Sequence, residues 1–176
     1  MLTTRGVALG SKHAASHNLN WGRYILVVND AESIDGEILP SDTLAKRRFE
    51  SNNWPLYQNT PHRKEIKPGD QCLVYLAGKR INSQHFVAVA TVSSVNDAAR
   101  VPTKVETDVM SVPPVSFVCF DKVTTFIQPV PIRDLLTKLS FIPHNANSWG
   151  CVMQRGCKRI SEKDFHIVVS HSHEKN

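Results

Sequence analysis

Two segments constrain the fold of this chain more than any other. They are Lys67-Pro68-Gly69-Asp70-Gln71-Cys72-Leu73-Val74-Tyr75-Leu76-Ala77-Gly78 and, after a short polar stretch, Phe86-Val87-Ala88-Val89-Ala90-Thr91-Val92. Pro68-Gly69-Asp70 supplies turn chemistry ahead of the first strand. Strand side chains alternate, so Leu73, Tyr75 and Ala77 share one face while Cys72, Val74 and Leu76 share the other. Both faces are apolar. Such a strand has to be covered on both sides, in a closed or sandwiched sheet, whereas a surface hairpin would keep one polar face.

The rest of the chain reads around this pair. Arg23–Asn29, rich in β-branched and aromatic residues, is a first strand. Asn29-Asp30 and Asp35-Gly36 are loop chemistry. Pro40-Ser41-Asp42 opens a short helix through about Ser51, with Ser41 or Asp42 as N-cap. Leu44, Ala45 and Phe49 form its inner stripe, leaving Lys46, Arg47 and Arg48 partly or wholly exposed. Asn52–Tyr57 is an irregular link carrying two large aromatics. Further on, 98–114 reads as a long polar loop, 115–120 as a strand that 123–129 continues after a bend, and 132–139 as a short helix opened by Pro131. Arg159–Phe165 is a turn of helix capped by Ser161, with Asp164 three residues on. Residues 1–20 read as a disordered leader, 21–169 as one domain and 170–176 as a polar tail. Strands with two or three short helices at the rim describe an α+β fold, a small mixed β-barrel.

A chain of 176 residues suffices for one packed domain, and its 41% apolar and 21% charged residues are those of a soluble globular protein. It has no apolar segment long enough to cross a bilayer and no apolar signal-peptide core, so no membrane is expected among its partners. Residues 1–29 hold no acidic residue, which fits a plain disordered leader or, faintly, a transit segment. Of the four cysteines, Cys72 and Cys119 lie inside apolar runs, and Cys151 and Cys157 lack a zinc spacing. All four read as reduced thiols of an intracellular, cytoplasmic protein. The formal charge of +5 is placed unevenly. Between Thr43 and Arg80, Lys46, Arg47, Arg48, Arg63, Lys64, Lys67, Lys79 and Arg80 face only Glu50, Glu65 and Asp70. A local basic field of this kind attracts phosphate backbones; it is also what a solvated face looks like.

Residues able to carry chemistry are few. Trp54, beside a proline in a polar link, offers an indole face that stacks on an extruded base or plugs one end of the barrel. Tyr57 is a second wall or a packing residue, Tyr75 lies within a strand and reads mainly as core, and Trp149 either walls a pocket or covers the core. Asn29 and Asp30 end the first strand, where their side chains read a base edge or make a turn. Lys46, Arg47, Arg48, Arg63, Lys64, Lys79 and Arg80 are the candidate phosphate contacts. His166, His171 and His173 match no metal spacing. No nucleophile signature, phosphate-binding loop or dinucleotide fingerprint is present, so no cofactor, metal or catalytic residue is expected.

The 67–92 run resembles the EVE domain, a member of the PUA-like superfamily that also includes YTH and ASCH domains. The carriers are Gly69-Asp70 followed by Tyr75, and then Val87-Ala88-Val89-Ala90-Thr91-Val92. The first strand ending at a polar residue, Asn29, the Trp in the link, Trp54, and the basic-Ile-Ser-x-x-Asp-Phe element at Arg159–Phe165 extend the resemblance over about Trp21 to Val169. The resemblance implies a PUA-like barrel that binds nucleic acid and takes one modified base into an aromatic pocket. It carries Trp54 over as a pocket wall. It also implies that the strand end at Ala77 and Gly78 lines the pocket, where small residues let backbone groups approach the base edge. Ala77 stands where a serine is commoner in the family, which removes a hydroxyl contact there.

The function expected from these readings is a non-enzymatic reader of a modified cytosine or N6-methyladenine, in DNA before RNA. A nuclease or other effector would have to come from elsewhere. The alternatives are a YTH-like RNA reader, an ASCH-like enzyme acting on RNA, for which Lys67, Asp70 and Tyr75 would have to converge, and a protein-interaction adaptor.

Overall fold

The computed structural model describes residues 20–100, 112–144 and 146–173. The segment read as a leader, except residue 20, most of the 98–114 loop and the last three residues of the tail lie outside the described residues. In chain order the elements are β1 (Arg23–Val28), β2 (Ala31–Glu32), β3 (Ile38–Leu39), α1 (Ser41–Ser51), β4 (Trp54–Leu56), β5 (Gln71–Leu76), β6 (His85–Asp97), β7 (Ser116–Pro131), β8 (Cys157–Arg159) and α2 (Glu162–His171). Short 3-10 turns follow β6 and β7 and precede β8.

Six strands form one sheet in the order β4-β7-β6-β5-β1-β8, and β2 pairs with β3 as a separate ribbon. Among the described residues only β1 and β5 run parallel, in register from Arg23 opposite Gln71 to Val28 opposite Leu76. The two-faced apolar pattern of β5 is accounted for by two cores. Cys72, Val74 and Leu76 join Tyr24, Leu26 and Val28 inside the curl, under Leu44 and Ala45 of α1. Leu73, Tyr75 and Ala77 join Ile25 and Val27 on the outer face, beneath Leu135, Leu139, Phe165 and Val168. The sheet curls into a half-barrel: Tyr57, Asn59, Thr60 and Pro61, just beyond edge strand β4, line a cavity of about 510 Å³ together with Arg155 and Gly156, just before edge strand β8.

Asp70 explains the glycine–aspartate pair at the head of β5. Its carboxylate is fully buried and accepts the Gly22 amide at 2.7 Å and the Lys67 amide at 2.9 Å. It thereby ties the start of β1 to the turn that launches β5. Gly69 has φ +92, and a Cβ there would fall 2.1 Å from the Trp21 ring, so only glycine fits.

Several elements differ from the sequence reading. The supposed irregular link at 52–57 contains edge strand β4, which pairs antiparallel with β7. Pro55 is tolerated because an edge strand needs only one side of its backbone. The helix at 132–139 is a single 3-10 turn, Ile132–Leu135. The β8 strand and the β2–β3 ribbon, two or three residues each, are too short to leave a periodic signal. Ser161 does cap α2, its hydroxyl accepting the Asp164 amide at 3.1 Å. That helix continues to His171, past the position read as the start of the tail.

Candidate nucleic-acid interface

Because β1 and β5 are parallel neighbours, their C-terminal ends leave the sheet side by side. This brings Asn29-Asp30 next to Ala77-Gly78-Lys79-Arg80, with the Ala77 amide donating to the Val28 carbonyl at 2.8 Å. Asp30 organises this end. Its Oδ1 accepts the amide of Ser41, the first residue of α1, at 2.9 Å, and its Oδ2 accepts Arg80 Nε at 3.2 Å. The first amide of the helix is thus satisfied from eleven residues upstream, while Asp42 Oδ1 accepts the Thr43 amide at 2.7 Å, and the Asp30 carboxylate lies at the positive end of the helix dipole. Gly78, at φ +120, passes directly beneath: a Cβ there would meet Ser83 Oγ at 3.0 Å and both Asp30 oxygens at 3.4 Å. Gln84 closes the loop by donating its side-chain amide to the Gly78 carbonyl at 3.2 Å.

A trough starts at this strand end and runs along α1. A cavity of about 170 Å³ between Ser41, Arg80 and Ser83 shares Ile81, Asn82 and Asp42 with a second of about 380 Å³, walled by Leu76, His85 and Val87. The second shares Asp42, Leu76 and Val87 with a third of about 330 Å³, walled by Ala45, Lys46 and Phe49. The floor is apolar and the rim is polar. Ile81, 93% exposed, stands at the edge. The flanking charges are balanced: Lys46, Lys79 and Arg80 against Asp30, Asp42 and Glu50.

The aromatic residues named from sequence do not gather here. Trp54 is 1% exposed, and its indole packs against Phe49 at 5.8 Å and Phe120 at 6.3 Å between centroids. Arg48, expected to be at least partly exposed, is 7% exposed and lies over the indole at 5.1 Å. The Trp54 wall and the Arg48 phosphate contact are therefore corrected: the strand pairing of β4 turns the indole inward, and the guanidinium covers it. Tyr75 is core, its ring 5.1 Å from Phe86, and burial pushes its hydroxyl well above the usual range. Trp149 packs against the outer core, and Tyr57 lines the seam cavity beside β8. The rings that do line the trough are Phe49 and His85. Nothing in the local sequence marks them, because the trough forms only where α1 crosses the ends of β5 and β6.

The expected single basic face is split. Lys46 pairs with Glu50 at 3.9 Å, and Lys79 and Arg80 are at the strand end. Arg63 bonds the Gln58 carbonyl at 3.1 Å and its side-chain oxygen at 3.2 Å. Arg63 and exposed Lys64 belong to the loop whose Glu65 accepts Arg159 Nη1 at 3.2 Å. Arg159, about ninety residues downstream, joins this second cluster through β8, and Arg155 lines the seam cavity with Tyr57. Lys67, Asp70 and Tyr75 do not converge: Asp70 is spent on two backbone amides, and Tyr75 faces the outer core five residues away, about 17 Å along the strand. Burial raises the Cys157 thiol to about 12 and the Cys72 thiol well above its usual value, so both are packing groups rather than nucleophiles. Among the described residues no group of three or more His, Cys, Asp or Glu is placed to hold a metal, and no helix is long and apolar enough to cross a membrane.

Comparison with known proteins fits this geometry. The EVE domain model matches residues 41–171, from the first residue of α1 to the last of α2. The chain belongs to the EVE domain family. No curated protein matches it. Among solved structures, human THYN1 in complex with DNA containing 5-methylcytosine has a TM-score of 0.58 at 12% identity, over 88% of this chain and 99% of that one. The DUF55 domain of human thymocyte nuclear protein 1 has a TM-score of 0.53 at 10% identity, over 87% and 99%. A protein from Agrobacterium tumefaciens has 0.50 at 14%, over 86% and 92%. At these identities the likeness establishes the fold, the PUA-like half-barrel. The EVE domain described here thus keeps the family architecture while burying the aromatic residue that its link presents in sequence.

Proposed function

We propose that this EVE domain is a nucleic-acid reader that accepts one methylated base, a modified cytosine or N6-methyladenine in DNA, into the strand-end trough. The observation that carries the reading is the trough itself: an apolar floor of Ala45, Leu76 and Val87 with Arg80, Asn82 and Lys46 along its rim. Further support comes from the THYN1 structure of the same fold, which holds DNA with 5-methylcytosine. Lys79 and Arg80 hold phosphates flanking the base, Arg80 being oriented by Asp30. Extruding the nucleotide costs a few kcal/mol, which those contacts and stacking on Phe49 or His85 offset. The methyl group rests on Ala45, Leu76 and Val87. Burying one methyl is worth about 0.8 kcal/mol, or roughly fourfold in affinity, so discrimination from the floor alone is modest. The reading makes the domain a binding module whose output requires an effector partner, in the cytoplasm or another reducing compartment that suits its unbridged cysteines.

Amide chemical-shift mapping with a 5-methylcytosine oligonucleotide tests the site. Shifts centred on Ala77–Asn82 and Phe49 are expected. Shifts centred on Tyr57 and Arg155 would move the site to the barrel seam and refute the trough assignment.

A further inference from the structure

The opposite end of β1 carries a cleft of about 670 Å³ that the reader function does not use. Trp21 and Arg23 wall it where the chain enters β1; Arg159, Ser161 and Glu162 wall it where β8 passes into α2. The Trp21 ring is fixed against Gly69, which has no side chain to displace it. The Arg23 side chain is 12% exposed. Its guanidinium sits 5.3 Å from the centre of the Phe165 ring, Nη1 donates to the Trp21 carbonyl at 3.1 Å, and Nη2 reaches Glu162 Oε1 at 3.4 Å. Its Nε is buried and has no acceptor among the described residues, an unfavourable state for a charged donor. The carboxylates that balance the two arginines are exposed: Glu162 by 70%, and Glu65, on Arg159, by 48%. A carboxylate this exposed holds its arginine weakly. A phosphate competes well with them, because guanidinium binds it through two parallel charge-assisted hydrogen bonds.

We infer that this cleft is a phosphate site. It takes the phosphate of a nucleotide or of a nucleic-acid backbone onto Arg23 and Arg159, with Trp21 as the flat wall for the attached base. The inference is independent of the modified-base reading, since it concerns other residues about 20 Å away along β1.

The test uses the full chain and follows the Arg23 Nε–Hε signal by NMR during titration with inorganic phosphate, a nucleoside monophosphate and an unmodified DNA duplex. A saturable shift is expected with at least one of them. Arg159→Gln should weaken that binding by about fivefold and Glu162→Gln should strengthen it by about fivefold, the effect of one unit charge at contact distance in water. Both side chains are mostly exposed, at 56% and 70%, so neither variant threatens the fold. Tighter binding of the mononucleotide than of phosphate identifies a free nucleotide as the source; tighter binding of the duplex identifies the backbone. No saturable shift with any of the three, or shifts that both variants leave unchanged, overturns the inference.

Discussion

Replacing Trp54 separates the two roles the sequence allows it. The indole is 1% exposed and packs against Phe49 and Phe120 beneath Arg48. Trp54→Ala removes a large buried ring, about 3–5 kcal/mol, and strips the stacking surface from Arg48, about another 0.5–2 kcal/mol. A domain of this size has about 5–15 kcal/mol in total, so this variant should be unfolded or close to it and says little about binding. Trp54→Phe is the informative change. It keeps a ring on the same core face and loses about 2 kcal/mol, which lowers Tm by about 4–8 °C at this chain length. Urea and thermal unfolding followed by circular dichroism measure the loss, and binding to methylated and plain oligonucleotides is measured on the same sample. A Trp54→Phe protein with a lowered Tm and unchanged base preference is the expected result. An unchanged Tm with the preference abolished would show that the indole touches the base, and would refute the core assignment.

Further outcomes follow from the same geometry. Asp70→Asn replaces an acceptor of two amides with a group that presents an N–H to one of them, and should lower stability by about 2–4 kcal/mol in urea unfolding. Gly78→Ala, at φ +120 with the Asp30 carboxylate and Ser83 hydroxyl over it, should lose about 1–3 kcal/mol and shift the amide resonances of Lys79–Ser83. Burial alone would raise the Asp164 carboxyl, but hydrogen bonds from Ser161 and Ser140 outweigh it and hold the group below its ordinary value of 3.8. Its contribution to stability is therefore complete above that value and is lost as pH falls through the lower folded value. Asp164→Asn should flatten the acid limb of a stability–pH profile below about pH 4. Removing Lys79 and Arg80 together should reduce the slope of log affinity against log salt by about 0.9 for each duplex phosphate that they neutralise.

The sheet was legible where burial writes itself into periodicity. The alternation through Cys72–Ala77 foretold a strand covered on both faces, and Ser161 with Asp164 foretold the start of α2. Features made by distant pairing were not legible. Asp30 caps α1 from outside the helix, so no local signal names it. Arg159 reaches Glu65 only because β8 adds to β1. Trp54 misled because a tryptophan beside a proline in a polar stretch has the composition of a loop; its burial depends on pairing with β7, more than sixty residues away. At the strand end, Asn29, Asp30, Ala77, Gly78, Lys79 and Arg80 do come together. Their proximity was thus readable, while the aromatic rings that line the trough, Phe49 and His85, were not.

The most direct test of the reader is fluorescence anisotropy at one fixed salt concentration, with oligonucleotides that differ only in the base. The panel comprises plain cytosine, 5-methylcytosine, 5-hydroxymethylcytosine and N6-methyladenine, in single- and double-stranded DNA and in RNA. A severalfold preference for one methylated base in DNA, abolished when the trough is filled by Val87→Phe at its half-buried wall, is the predicted result. Equal affinity across the panel would contradict the account.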